Sequence, residues 1–300
     1  MTAVQGVGPS WVALPHHGDW PTVLAFLTER FPHVSKGEWI QRMARGDVQT
    51  DTAEAIGPLS PFIAGVRIRY LRHVAHEVPI PFAADIVFED EHIVVVDKPH
   101  FLPVTPSGGY VQETLLARLR AQLACDTLAP MHRLDRDTAG LVLFSKQTAS
   151  RGAYHGLFSQ RAIRKTYEAV APWAGDALPP ALRSSRVEES SHFMQMHEVV
   201  GEPNAETRIR VLEHTKHWAR YELQPVTGKR HQLRVHMNAL GLPIRFDGIY
   251  PTLTAEPASG TTPDYSRPLQ LLARRLNFVD PLGGQQRNFV SGRQLLALPD

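Results

Sequence analysis

The period of the apolar positions changes several times along the chain, and each change marks an element. From Thr22 to Phe31, Val23, Phe26 and Leu27 recur at helical spacing. Ser35-Lys36-Gly37-Glu38 has the capping-box spacing, which opens a helix by satisfying its first free N–H groups. That helix is expected to turn Trp39, Ile40 and Met43 inward and Lys36, Arg42 and Arg45 outward, with Gly46 ending it. Val66-Arg67-Ile68-Arg69-Tyr70 alternates as a strand. Two prolines in residues 78–84 oppose regular structure and read as a linker. Beyond it, two apolar strand patterns, Ile86–Phe88 and Ile93–Val96, flank an acidic turn. Leu115, Leu116, Leu119 and Leu123 predict a helix over 112–124, and further helices fall near 149–161 and 230–240, the last closed by Gly241. Strand patterns follow at 141–145, 163–170, 192–199, 206–213 and 217–225, with one strand or strand pair at 269–278. Residues 171–190, with three prolines and Ser/Glu-rich ends, read as a surface insertion. Many strands with helices interspersed, but no regular strand–helix rhythm, predict an α+β fold. The linker divides it into a small N-terminal module, 1–78, and a larger domain, 79–300.

Composition narrows this little. Three hundred residues, 43% hydrophobic and 21% charged, suffice for a sizeable core. The net charge of +2 announces no polyanionic partner, but its distribution is uneven. Residues 127–170 carry seven Lys/Arg against three Asp/Glu, and 208–250 carry eight against three. The stretches 80–126 and 171–207 are each net −4. Two basic segments separated by acidic ones can converge on one positive cleft, the footprint a phosphate backbone requires. The single cysteine, Cys125, excludes an internal disulfide and a cysteine-based zinc site, and is expected to be buried at a helix end. No apolar run approaches the ~20 residues of a membrane span, and the first residues lack a basic start and an apolar signal core. A cytoplasmic protein is the expectation.

The chemistry concentrates in His132-Arg133-Leu134-Asp135-Arg136-Asp137-Thr138-Ala139-Gly140-Leu141. Asp135 stands between two arginines just before an apolar strand. Nearby positive charge favours the ionised carboxylate, which suits a nucleophile or a base better than a proton donor. The string resembles the catalytic motif of the RluA-type pseudouridine synthases, H-R-L-D-x-x-T-S/A-G. Other stretches resemble the same family in the same order. Val95-Val96-Asp97-Lys98-Pro99 after the acidic turn is similar to its first motif, and Lys165-Thr166-Tyr167 to its K-x-Y. Pro225-Val226-Thr227-Gly228-Lys229-Arg230-His231-Gln232-Leu233-Arg234-Val235-His236 resembles P-x-T-G-R-x-H-Q-I-R-x-H. The stretch Leu269–Phe278 resembles the last motif, with Leu272 where the family has histidine. Pro243–Tyr250 resembles P-I-x-G-D-x-x-Y-G, but Phe246 and Pro251 replace common glycines.

The resemblance implies a pseudouridine synthase fold, a mixed and mainly antiparallel sheet with a central catalytic cleft. It implies isomerisation of uridine to pseudouridine in structured RNA, 23S rRNA, tRNA or both, after the base is flipped out. Asp135, Tyr167 and Arg234 are the implied catalytic residues. By the same resemblance, Arg133 is expected to fill the gap left by the flipped base, His132, Arg136, Lys165, Lys229, Arg230 and His231 to contact RNA, and Leu271 to line the base pocket. No cofactor is expected, because the isomerisation moves no hydride, phosphate or electrons. No metal is expected either: His231 and His236, five apart on a helix, point ~140° apart around its axis. The N-terminal module is similar, more loosely, to the alpha-L RNA-binding module attached to many of these enzymes. A monomer is expected. The alternatives are a non-catalytic RNA-binding or ribosome-assembly factor on the same fold and a carboxylate-based glycosidase or nucleoside hydrolase. The first needs no Asp135–Tyr167–Arg234 constellation, and the second needs a second carboxylate across the sugar.

Overall fold

The computed structural model describes residues 8–32, 34–71, 77–175, 178–192, 194–254 and 263–300. The first seven residues, part of the stretch read above for a signal, lie outside these, as do 72–76 just before the expected linker. The chain divides into two compact units. One runs to Glu77 and includes Ser107–Gln112; the other comprises Val78–Pro106 and Glu113–Asp300.

In the smaller unit, β1 (Ser10–Ala13), β2 (Val48–Thr50) and β3 (Arg67–Tyr70) form an antiparallel sheet in the order β1-β3-β2. Helix α1 (Val23–Arg30) is capped by Thr22, and α2 (Lys36–Ala44) by Ser35, whose Oγ accepts the N–H of Glu38 at 3.1 Å. The Glu38 carboxylate does not close the box; it pairs with Arg42 instead. Leu27, Trp39, Val48 and Ile68 are fully buried in this unit's core. Two expectations for α2 fail. Ile40 is exposed, and Arg42 is buried, its guanidinium 5.0 Å from the Trp39 ring centre. An arginine stem covers apolar surface while its head pairs with Glu38, so the helix face that looked basic is partly spent inside the unit.

In the larger unit the elements run β4 (Asp85–Glu89), β5 (Ile93–Lys98), α3 (Leu115–Leu123), β6 (Ala129–Pro130), β7 (Ala139–Ser145) and α4 (Thr148–Ser159). They continue with β8 (Arg164–Pro172), β9 (Leu182–Glu189), β10 (Met196–Val199), β11 (Ala205–His214), β12 (Trp218–Pro225), α5 (Gln232–Ala239), β13 (Leu271–Val279) and β14 (Gln286–Val290). The strands form one sheet in the order β10-β9-β11-β12-β8-β13-β7-β5-β4, with β14 on β13 and β6 on β7. Every pairing among the described residues is antiparallel except β13 with β7. None of the described helices is long and apolar enough to cross a membrane. The expected surface insertion at 171–190 is corrected: Leu182–Glu189 is a strand between β10 and β11. Cys125 is half-buried rather than buried.

The one parallel pairing matters for the site. It sets Leu272 beside Ala139 and Ala273 beside Gly140, at the point where the Asp135 loop enters β7. Gly140 has φ +112°, and a Cβ there would lie 2.4 Å from the carbonyl oxygen of Ala273. Only glycine lets the two backbones approach so closely. That approach brings β13, which carries Leu271, beside the strand entered by the Asp135 loop.

Candidate active site

The Asp135 loop is held from below. Lys98, the last residue of β5, is fully buried, and its Nζ donates to the carbonyls of Pro99 (2.9 Å), Leu102 (2.8 Å) and Arg136 (3.0 Å). An ammonium has three protons, and here each finds a carbonyl. Burial pulls the Lys98 pKa down to about 7, against the raising influence of Asp137 and Asp135. Thr138 N–H bonds back to the Asp135 carbonyl at 3.2 Å, closing the turn. His132 is turned into the unit: its Nε2 accepts the N–H of Leu143 at 3.1 Å, and its ring stacks on Phe158. An acceptor nitrogen must be unprotonated, and burial accordingly lowers the His132 pKa to about 3, with Lys165 adding to the effect.

The Asp135 carboxylate meets Arg234 on α5. Nη1 of Arg234 donates to Oδ2 at 3.0 Å. Arg234 is only 2% exposed, whereas the Asp135 side chain keeps 29% of its surface open. The other edge of the guanidinium is clamped by Asp247, with Nε to Oδ2 at 2.8 Å and Nη2 to Oδ1 at 2.6 Å. Asp247 is completely buried and also accepts the N–H groups of Ile249 and Tyr250. One arginine between two carboxylates is thus fixed in a fork geometry that leaves its remaining N–H groups aimed at Asp135. Burial works against the ionised form of Asp135, but the Arg234 guanidinium beside it outweighs this, and the carboxyl sits below its ordinary range.

His231 completes this side. It precedes α5 in the left-handed conformation, φ 54°. Its Nε2 lies 3.8 Å from Oδ1 of Asp135, and its Nδ1 lies 3.1 Å from the Tyr250 hydroxyl. That hydroxyl accepts the N–H of Met196 at 2.8 Å, so its own proton is free to point at Nδ1. Burial lowers the His231 pKa, against the raising charge of Asp135. His236, by contrast, is entirely buried between Ser185 and Thr207, and burial lowers its pKa to about 4.

Tyr167 lies on β8, paired with Ala273 of β13 and Leu223 of β12. Leu271 pairs with Ala169, two residues on, so Tyr167 and Leu271 share a face of the sheet. Both are almost fully buried. Burial and the charge of Asp135 push the Tyr167 phenol up, so it keeps its proton. Its hydroxyl makes no hydrogen bond among the described residues. Burial lowers the Lys165 pKa, and its Nζ lies beside the Thr227-Gly228 turn. Arg133, Lys229 and Arg230 are exposed. Arg136 is exposed too, and bonds Asp137 at 2.9 Å.

Comparison with known proteins places this arrangement. Residues 92–239 match the RNA pseudouridylate synthase family. The ribosomal large subunit pseudouridine synthase D of Escherichia coli K12 is 31% identical over 239 residues, 75% of this chain and 71% of that protein. The chain belongs to the RNA pseudouridylate synthase family. An RNA pseudouridine synthase of Synechocystis, itself uncharacterised, is 29% identical over 235 residues, 76% of this chain and 79% of that one. Among solved structures, human RNA pseudouridylate synthase domain containing 4 aligns with a TM-score of 0.52 at 25% identity, over 70% of this chain and 88% of that one. Human domain containing 1 shares the fold, with a TM-score of 0.55.

Three members of this synthase's site were not singled out from sequence. Lys98 stands in a motif that was noticed, but a lysine signals solvent until three carbonyls are seen to converge on it. Asp247 and Tyr250 are the D and Y of the P-I-x-G-D-x-x-Y-G resemblance, 13 and 16 residues beyond Arg234, but that string does not say that they clamp Arg234 and partner His231. As a family member the chain is an enzyme, an isomerase acting on uridine in RNA.

Proposed function

We propose that this synthase isomerises specific uridines of 23S rRNA, tRNA or both, with Asp135 as the essential carboxylate. The reaction breaks the bond between uracil N1 and ribose C1′, turns the base, joins C5 to C1′ and releases the C5 proton. The carboxylate acts by attacking C1′, attacking the ring or removing the 2′ proton, and each route requires it ionised and aimed. The observation that carries the reading is the Asp135–Arg234–Asp247 chain. A buried guanidinium, clamped from behind, supports a charged carboxylate that stays open to substrate.

The other residues fit roles around it. Tyr167 offers a ring to stack on uracil and a protonated hydroxyl for proton traffic at C5. Leu271 closes the same face. Arg133, exposed two residues before Asp135, fills the gap in the RNA stack in this reading. Flipping costs a few kcal/mol, offset by stacking and polar contacts in the pocket. Lys165, Lys229, Arg230 and Arg136 supply positive charge for phosphates. The N-terminal unit adds affinity without performing chemistry. The enzyme acts as a monomer in the cytoplasm, where these RNAs are made. Pseudouridine mapping of total RNA from cells with and without the gene tests the target. Loss of pseudouridine at one or a few sites in 23S rRNA or tRNA is expected; unchanged maps in both contradict it.

A further inference from the structure

A second pocket opens at the far end of β8, about 17 Å along the strand from Tyr167 at ~3.3 Å per residue. Its volume is about 410 Å³, and Pro172, Trp218, Pro243, Arg245, Phe246 and Tyr250 are among its walls. Trp218 opens β12 directly opposite Pro172. The Arg245 backbone is wedged between strands: its N–H donates to the Val170 carbonyl at 2.8 Å, and its carbonyl accepts the N–H of Gln270 at 3.0 Å. Its side chain is therefore aimed by a fixed backbone. The guanidinium lies 4.5 Å from the Phe246 ring centre and 5.2 Å from that of Trp218. Arg245 has no carboxylate partner among the described residues, so its charge is not cancelled.

Phe246 itself is placed at a cost. Its φ is +62°, a region that glycine enters freely and a bulky side chain avoids. A glycine would relax the turn. Arg267 approaches the same ring at 5.9 Å. Next along β8, Trp173 stacks face to face on His214, with centroids 4.2 Å apart and planes within 4°. Aromatic faces beside an uncancelled guanidinium, here that of Arg245, are what an unpaired base and its phosphate require. The pocket also touches the site already described, because Asp247 and Tyr250, which brace Arg234 and His231, form part of its wall.

We infer that this pocket is a stacking subsite for an unpaired nucleotide of the RNA substrate, outside the target uridine's own position. A base lies against Phe246 and Trp218, and Arg245 meets its phosphate. The ring of Phe246, held at a strained φ, supplies that face. The inference rests on the reading that structured RNA is the substrate.

Phe246→Gly separates binding from folding, because glycine suits φ +62° and relieves the turn. Its affinity for unmodified transcripts of 23S rRNA and tRNA is measured by filter binding, alongside thermal melting. We expect Kd to rise about tenfold or more, as loss of one stacked base does, while the melting midpoint is unchanged or higher. Arg245→Gln should flatten the salt dependence of log Kd by about 0.7–0.9, the loss of one phosphate contact. If Phe246→Gly binds both transcripts as tightly as the wild type, or weakens only together with the melting midpoint, the subsite is overturned. Tritium release from the same transcripts labelled at uracil C5 keeps the two readings apart. Absence of release with the wild type contradicts the substrate reading. Release with an unaltered Phe246→Gly affinity overturns the subsite alone.

Discussion

Asp135 gains its character from neighbours that are distant in sequence. Arg234 is 99 residues away and supplies the bond to Oδ2; His231 faces Oδ1. Removing Arg234 leaves two carboxylates, one of them wholly buried, without their shared cation. Arg234→Leu should therefore cost rate far more than RNA affinity. Breaking a buried pair of this kind is worth about 3–5 kcal/mol. The acid limb of the rate profile should also move to higher pH, because the group that most depresses the Asp135 pKa is gone. Single-turnover rates across pH, with Kd measured separately, check this; weaker binding at an unchanged rate would make Arg234 a phosphate contact. A second pH effect concerns stability. His132 and His236 are held neutral, with pKa values lowered to about 3 and about 4. The unfolded chain takes up their protons near 6.5 and the folded chain does not. Stability is therefore full above about 6.5 and falls as pH drops toward 4, by at most about 1.4 kcal/mol per pH unit for each histidine. Urea unfolding at pH 7.5 and 5 should show it, and His236→Gln should flatten the slope.

At the scale of elements, the point of tightest constraint is where β13 meets β7. Gly140→Ala would force a Cβ onto the Ala273 backbone, which cannot swing aside as a flexible side chain does. A loss of several kcal/mol is expected, since overpacking typically costs about 1–3 kcal/mol and positive φ adds strain. Chemical denaturation measures it, and a change within ~0.5 kcal/mol would mean that β13 shifts freely. Elements with a clear apolar period were legible from sequence: α1, α2, β5, α3, β7, β12 and α5 all lie where the pattern put them, within a few residues. The failures share a cause. Leu182–Glu189 shows one buried residue, Val187, among arginines, serines and glutamates, and follows two prolines, so no two-residue apolar period exists to be read. Gln286–Val290 likewise buries only Phe289. Such strands are specified by their neighbours' hydrogen bonds rather than by their own side chains. The same limit applies in the site. Local strings hold Lys98 and Asp247 as well as Asp135, Tyr167 and Arg234, but the roles of Lys98 and Asp247 come from carbonyls and a guanidinium supplied by other segments.

At the scale of the whole molecule, a net charge of +2 is divided among basic and acidic stretches. In the smaller unit, the positive face expected on α2 is reduced. Arg42 is buried against Trp39, and Arg45 bonds Asp47 at 2.9 Å, leaving Lys36 as the exposed lysine of that helix. Helix α2 should then contribute about one phosphate contact. Lys36→Gln should flatten the salt slope of RNA binding by about 0.7–0.9. An unchanged slope would assign α2 a structural or protein-binding role.

The proposed isomerisation depends on the open, ionised carboxylate of Asp135. Asp135→Asn keeps the size and removes the charge. The direct measurement is tritium release from RNA labelled at uracil C5, under single turnover, with RNA binding and melting measured on the same protein. The account predicts a folded variant that binds RNA and releases no tritium, while the wild type releases tritium without freeing uracil. Residual release above about a tenth of the wild-type rate, beyond the range expected once a transition-state charge worth ~1.4 kcal/mol or more is lost, would contradict it.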